Sequence, residues 1–300
     1  MSEARMDWEG GWTWYRVDGD LGDRGLAPLI ILHGGPGAAH DYLEPVADLA
    51  STAGRPCVLY DQIGCGRSQH LPDAPAGFWT VELFRRELAA LVEHLNIAGR
   101  YHVLGQSWGG MLGMEHALEH PTGLRSLVVA NSPASIELWL SEANRLRSLL
   151  PPEVQDTLTR HEAANTTDSE AYEQAVMKFY ERHLCRIPFP DALRRTFAQL
   201  AEDPTVYHTM NGPSEFHVIG TLTGWDITPR LRDVRVPVLV ISGEHDEATP
   251  TVVRQLVDAL RDARWELVEG ASHSTHLEQP ERFLALVETF LSAHDESHVD

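Results

Sequence analysis

The feature that most constrains this chain is a pentapeptide, Gly105-Gln106-Ser107-Trp108-Gly109, set between a short apolar run and a helix-like segment. Tyr101 to Leu104 precede it and Met111 to Leu118 follow. A G-x-S-x-G pattern between strand and helix is the signature of a nucleophile elbow. The turn is so sharp that small residues must flank the serine, and Gly105 and Gly109 let the backbone bend without Cβ clashes. Such a bend pushes the Ser107 hydroxyl out of the sheet, where a base and a substrate can reach it. The alternative is a glycine-rich turn with an incidental serine, and the flanking strand and helix argue against it.

The rest of the chain alternates in the way this elbow requires. Leu29 to His33, Cys57 to Asp61, His102 to Gly105, Leu127 to Ala130 and Val238 to Ser242 are short runs rich in Val, Ile and Leu. They read as buried parallel strands, with Trp265 to Glu269 as one more. Phe84, Leu88, Leu91 and Leu95 repeat at helical spacing between them. Strand-then-helix alternation predicts an α/β fold, a mostly parallel sheet with helices on both faces. The alternation stops near Ser135 and resumes near Pro237. Ile136 to Leu150 reads as a helix ended by Pro151-Pro152, Thr167 and Glu170 as a capping box for a helix reaching Leu184, and Leu193, Phe197 and Leu200 as another helix. The expected organisation is a core over 1–134, a helical cap over 135–230, and the rest of the core over 231–300. The polar residues Ser292 to Asp300 are expected to fray.

Composition narrows the function classes. Asp and Glu number 44 against 24 Lys and Arg, for a formal charge of −20. That surface repels phosphate backbones and anionic lipid, so neither nucleic acid nor membrane is an expected partner. No apolar run is long enough to span a bilayer, and Met1 to Gly11 lacks the features of a secretory leader. The three cysteines, Cys57, Cys65 and Cys185, are odd in number and widely spaced, with neither a disulfide framework nor a zinc pattern. A reducing cytoplasm is the expected location.

A serine nucleophile needs a base, and the base needs an orienting acid. In an elbow of this kind they follow in the order serine, acid, histidine. Two strand ends downstream offer candidates, Gly243-Glu244-His245-Asp246-Glu247 and Gly270-Ala271-Ser272-His273. Active groups on open parallel sheets sit just past the carboxyl ends of strands, a rule that Asp246 and His273 satisfy. The rivals are His245, His276, Glu244 and Glu247. His33-Gly34-Gly35-Pro36-Gly37 follows the first core strand, and its glycines let backbone amides approach a developing oxyanion; the Trp108 amide would be the second donor. His33 is expected to brace that loop. His116-Ala117-Leu118-Glu119-His120 matches H-x-x-E-H in form, but its place at the far end of the helix and before Pro121 favours a solvated or satisfied pair over a metal site. Cys65 and the Trp8, Trp12 and Trp14 group read as packing residues.

These motifs together resemble the prolyl aminopeptidases (proline iminopeptidases) of the α/β-hydrolase superfamily. The matching stretches are His33 to Gly37, Asp61 to Ser68, Gly105 to Gly110, Met210 to Phe216, Gly224 to Asp226 and Gly243 to Glu247. The resemblance runs from about His33 to His273 and is nearest to the tricorn-interacting aminopeptidase type. It implies a triad of Ser107, Asp246 and His273 and an oxyanion hole from the amides of Gly35 and Trp108. It also implies that Glu215 and Glu247 bind the substrate's α-ammonium group, a small cation that two carboxylates would hold by charge-assisted hydrogen bonds. The implied activity is removal of an N-terminal residue, preferably proline, from short peptides through an acyl-enzyme, with neither metal nor organic cofactor. The implied partner is a short peptide or amino-acid amide with a free N-terminus; oligomeric state is left open, a monomer being compatible. An amino-acid amidase, an ester hydrolase or a biosynthetic acyl transferase would use the same triad, and a non-enzymatic receptor is the reading from another class. One departure from the family pattern is Ser274-Thr275-His276-Leu277-Glu278, where an apolar continuation is more usual.

Overall fold

The computed structural model of the chain describes residues 1–9, 11–22 and 25–295. The strands are β1 (Ser2–Trp8), β2 (Gly11–Asp18), β3 (Leu29–Leu32), β4 (Cys57–Tyr60), β5 (Tyr101–Gln106), β6 (Leu124–Ala130), β7 (Val238–Gly243) and β8 (Ala263–Val268). They form a single eight-stranded sheet in the order β1-β2-β4-β3-β5-β6-β7-β8. All contacts from β4 to β8 are parallel, and β1 and β2 add an antiparallel edge. Side chains alternate across the sheet: Ile30, Leu32, Val103, Val129 and Val240 join one apolar cluster, while Leu29, Ile31, Leu104, Val128 and Ile241 join the other. Both faces are therefore buried, which explains why these strands are continuous apolar runs rather than alternating ones.

The helices are α1 (Glu44–Ala47), α2 (Leu49–Thr52), α3 (Val81–His94), α4 (Trp108–Leu118), α5 (Ile136–Arg147), α6 (Pro152–Ala164), α7 (Glu170–His183), α8 (Asp191–Glu202), α9 (Thr205–Met210), α10 (Pro250–Ala259), α11 (Thr275–Glu278) and α12 (Pro280–Ser292). Residues of α3, α4 and α10 fill the first cluster, and those of α12 the second. The mostly parallel sheet covered on both faces is the arrangement the alternation predicts. Five helices, α5 to α9, lie between β6 and β7. Among the described residues no helix is long and apolar enough to cross a membrane.

Several local expectations change. The hairpin β1–β2 is not visible as alternation because β1 carries Glu3, Arg5 and Asp7 on an exposed edge, where charge discourages pairing with other chains. Trp14 of β2 is buried, whereas Trp12 is stacked by the Arg5 guanidinium, 3.7 Å from the ring centre. The helix read as reaching Leu150 ends at Arg147, ahead of Pro151-Pro152, and Pro152 is the first residue of α6, where its missing N–H costs nothing. The cap of α7 is Ser169, whose side chain accepts from the Tyr172 amide, and not Thr167. The tail is anchored at least to Asp295, and residues 296–300 lie outside the described residues. Asp295 accepts from the Ala27 amide at 2.7 Å and pairs with Arg55 at 2.9 Å; Arg55 is fully buried and also pairs with Glu288.

Candidate active site

Ser107 sits at the end of β5 with φ 55° and ψ −123°, a conformation that non-glycine residues rarely adopt. It persists because the surroundings over-determine it. The Ser107 amide donates to Ala130 O at 2.9 Å, and its carbonyl accepts from the Gly110 amide at 2.8 Å and the Ser132 hydroxyl at 2.7 Å. The flanking glycines are needed for space: a Cβ on Gly105 would lie 2.0 Å from Gly109 O, and one on Gly109 would lie 2.2 Å from Leu32 O.

His273 lies in the turn after β8 and Asp246 in the turn after β7. Nδ1 of His273 is 2.8 Å from Asp246 Oδ1. The other lone pairs of Asp246 are occupied as well, by the Ala248 amide at 2.8 Å and by Nδ2 of Asn131 at 2.6 Å. Asn131, which the sequence reading did not single out, ends β6 with φ 53° and also donates to Ser272 O and Thr275 Oγ1. Its signal in the sequence is faint: an Asn directly after a strand, where a left-handed residue is tolerated. Ser107 and His273 line one cavity.

Gly35 follows β3 with φ +108°, and a Cβ there would lie 2.6 Å from the Ala38 nitrogen. Gly35 and Trp108 both line a small pocket with Ser107. The loop is held from two sides. His33 accepts from the Gln62 amide at Nε2, 3.0 Å, and contacts Gly34 O through Nδ1, so it braces the turn as expected. The Tyr42 hydroxyl accepts from the Gly34 amide at 2.7 Å and donates to Gln106 Oε1 at 2.6 Å; Gln106 in turn donates to His273 O at 3.1 Å. A continuous chain of hydrogen bonds thus ties the Gly34-Gly35 loop to the backbone of His273.

Two carboxylates complete the cluster. Glu247 is fully buried, and neither of its oxygens has a hydrogen-bond partner. Its ion-pair contact is with Nε2 of His273, 3.6 Å from Oε1. Burial pushes its pKa well up; the His273 charge opposes that, and the negative Glu215 and Asp246 add to it. Glu215 is half-buried and accepts from the Tyr207 hydroxyl at 2.6 Å. Burial raises its pKa, and Tyr207 and His273 oppose the rise. Burial alone would lower the pKa of His273, but Asp246, Glu247 and Glu215 outweigh it and lift the value to about 9.

The rivals stand elsewhere. His245 gives its carbonyl to Nδ1 of His183, and its own ring is part-exposed beside Glu244. His276 is buried on α11 with Nε2 against Tyr42 O. His116 meets the Tyr101 hydroxyl at 2.7 Å, while Glu119 pairs with Arg85. The Cys65 thiol is buried, which pushes its pKa well up, and it donates to Gln62 O.

Two spaces open from Ser107. The smaller, about 20 Å³, is lined by Trp108, Met111, Pro133, Ile136, Trp139 and Leu222, with Gly35, Asn211 and Glu215 at its border. The larger, about 620 Å³, runs beneath α7, α8 and α9 and is lined largely by apolar side chains such as Val176, Met177, Phe189, Leu193 and Phe197.

Comparison with known proteins agrees with this layout. Residues 27–280 match the family model described as the alpha/beta hydrolase fold. The chain is 35% identical over 297 residues to a proline iminopeptidase of Lactobacillus helveticus, covering 98% of this chain and 99% of the relative. It superposes on the crystal structure of a proline iminopeptidase of Mycobacterium smegmatis with a TM-score of 0.90 and 52% identity, covering 98% of this chain and 99% of that one. The crystal structure of VinJ is similar with a TM-score of 0.95, the same 52% identity and the same coverage.

Proposed function

We propose a serine aminopeptidase activity for this chain, which belongs to the α/β-hydrolase family and, within it, to the proline iminopeptidases. The substrate is a short peptide with a free N-terminus, and the released residue is preferably proline. The observation that carries the reading is Glu247, a buried carboxylate without a partner that lies beside the His273–Asp246 pair. An unpaired buried carboxylate costs several kcal/mol, so a site that keeps one is built to receive a cation. A peptide's terminal ammonium is such a cation, and Glu215 supplies the second acceptor.

With the amine held there, the carbonyl of the first residue comes to Ser107, and its side chain enters the small space walled by Trp139 and Ile136. That space suits a compact ring or methyl. The peptide beyond the scissile bond extends into the large apolar cavity. His273 takes the proton of Ser107 as the hydroxyl attacks, and Asp246 holds the imidazole tautomer and stabilises the imidazolium. The amides of Gly35 and Trp108 stabilise the tetrahedral oxyanion. His273 then gives the proton to the departing amine, and water repeats the sequence on the acyl-enzyme. We read residues 135–230 as a cap over a core of 1–134 and 231–300. The volume of the leaving-side cavity favours a peptide over a simple amide. The three cysteines are free and buried, as suits a reducing cytoplasm.

The test is release of a chromogenic anilide from proline, alanine, leucine and N-acetyl-proline. Free-amine proline should turn over fastest, and Ser107→Ala should cut kcat by roughly 10⁴-fold or more. Glu215→Gln should weaken free-amine substrates and leave N-acetyl-proline unchanged. Near-normal activity in Ser107→Ala would remove the nucleophile assignment, and equal losses on both substrate kinds would remove the amine anchor.

A further inference from the structure

Glu247 touches the catalytic machinery on the side where the chemistry happens. Nδ1 of His273 is committed to Asp246 at 2.8 Å, and Nε2 is the nitrogen that must receive the proton of Ser107. In the structure that same Nε2 lies 3.6 Å from Oε1 of Glu247, within ion-pair distance. Both oxygens of Glu247 otherwise lack partners. The groups that act on the pair are Asp246 from the turn after β7, Glu215 after α9, Tyr180 of α7 and His276 of α11, and Tyr207 of α9 acts on it through Glu215. None is an arginine or lysine, and among the described residues neither carboxylate has one as an ion-pair partner. The empty site therefore has three carboxylates and one imidazole to share its protons.

We propose that Glu247 acts on the base as well as on the substrate: in the empty site it shares a proton with Nε2 of His273, and the arriving ammonium expels that proton to solvent. This rests on the amine-binding reading above and deepens it. The reason is electrostatic. A buried carboxylate without a donor is costly, and the cheapest remedies are an imidazolium neighbour or a proton of its own. In either state Nε2 is not free to act as a base. An ammonium between Glu215 and Glu247 supplies N–H donors to the orphan oxygens, and its positive charge disfavours a second cation a few ångströms away. Hydrogen bonds from the ammonium replace the 3.6 Å ion pair with the imidazolium, the proton leaves as bulk hydronium or buffer acid, and neutral imidazole remains. The upward shifts at His273 and Glu247 have the sign this requires, since both hold protons more tightly in the empty site. Glu247 is thus a specificity-determining residue acting through kcat: an N-acylated substrate fails because the base stays blocked, beyond any loss of affinity.

Pyrrolidine is a suitable probe, because in water it is a protonated secondary amine and it has no carbonyl to react. Calorimetric titration of the whole enzyme with pyrrolidine near neutral pH, in buffers of differing ionisation heat, should show about one proton released per site. The downfield Nδ1–H resonance of His273 should titrate at least about one pH unit lower with pyrrolidine bound. In Glu247→Gln without any ligand it should already titrate lower than in the wild type. Pyrrolidine that competes with substrate but releases no proton overturns the proposal and leaves the amine site standing. Release without a change in the His273 titration also overturns it, as does a Glu247→Gln protein whose His273 titrates like the wild type. Failure of pyrrolidine to compete at all removes the amine-binding reading, and the proposal with it.

Discussion

At the scale of single residues, Asn131 shows how a side chain outside the motif can govern the geometry of the site. Its amide nitrogen reaches Asp246 Oδ2, Ser272 O and Thr275 Oγ1, so one group joins the turns that carry Asp246 and His273. Removing it takes away the donor on Oδ2 and leaves Asp246 held only through Oδ1, by the Ala248 amide and His273. Asn131→Gly keeps the left-handed backbone without strain and deletes the amide. Its kcat should fall roughly tenfold to a hundredfold, as for other orienting groups, with KM little changed. Asn131→Asp should be worse, because it sets a second carboxylate against Asp246 where a donor had been. Steady-state kinetics on the proline anilide decide it; a change in KM alone would make Asn131 a structural residue only. Asp246 and His273 were legible as types following strand ends, but Asn131 was not, because its contacts span 115 and 144 positions of sequence.

At the scale of elements, α5 brings Trp139 over the site. Its indole N–H donates to Glu215 O at 2.7 Å, and its ring meets the His273 imidazole edge-on with centroids 5.9 Å apart. Trp139 therefore sets both the height of Glu215 and the depth of the small space. Trp139→Ala should enlarge that space, raise kcat/KM for leucine anilide relative to proline anilide roughly tenfold, and lower stability by about 3 kcal/mol. An unchanged leucine-to-proline ratio would mean that the first side chain goes elsewhere. The helices between β6 and β7 are also fastened directly to His273. His273 N donates to His183 O at 3.1 Å and Ser274 N donates to Leu184 O at 2.8 Å, at the end of α7. Apolar spacing disclosed that helices fill this stretch, but these two bonds use backbone groups, which every residue type carries alike.

At the scale of the whole molecule, the antiparallel edge and the parallel core are joined through Glu87. This α3 residue is fully buried; it accepts from the Thr13 hydroxyl of β2 and, at 2.8 Å, from the Ile63 amide after β4. Burial pushes its pKa up to about 8, with the two donors only partly opposing. The unfolded chain loses this proton at the ordinary carboxylate pH, and the folded chain keeps it to about pH 8. Between those limits the native state binds more protons, so stability is greatest at the acid end and falls as pH rises toward 8. Glu87→Gln keeps an oxygen for both donors and removes the titration. Relative to wild type it should gain about 2 kcal/mol between mildly acid and mildly alkaline pH; urea unfolding at both ends measures it. A difference that does not change with pH would show that Glu87 is ionised in the native state.

What the sequence by itself determined is local and periodic. The elbow glycines were legible because a sharp turn allows no Cβ, and the core strands because a sheet buried on both faces demands unbroken apolar runs. Asp246 and His273 were picked out by the order that an elbow of this kind implies and by their places past the carboxyl ends of strands. The hairpin was hidden by the charges on its exposed strand β1, and the tail by its polarity, since Asp295 is ordered through Arg55, 240 positions away. Tertiary structure alone decided which nitrogen of His273 faces Glu247, that Glu247 is left without a donor, and that Tyr42 and Gln106 connect the Gly34-Gly35 loop to His273. Each depends on distances between groups that the chain brings together only when the sheet closes its core, and a protonation state follows from those distances rather than from the residue type.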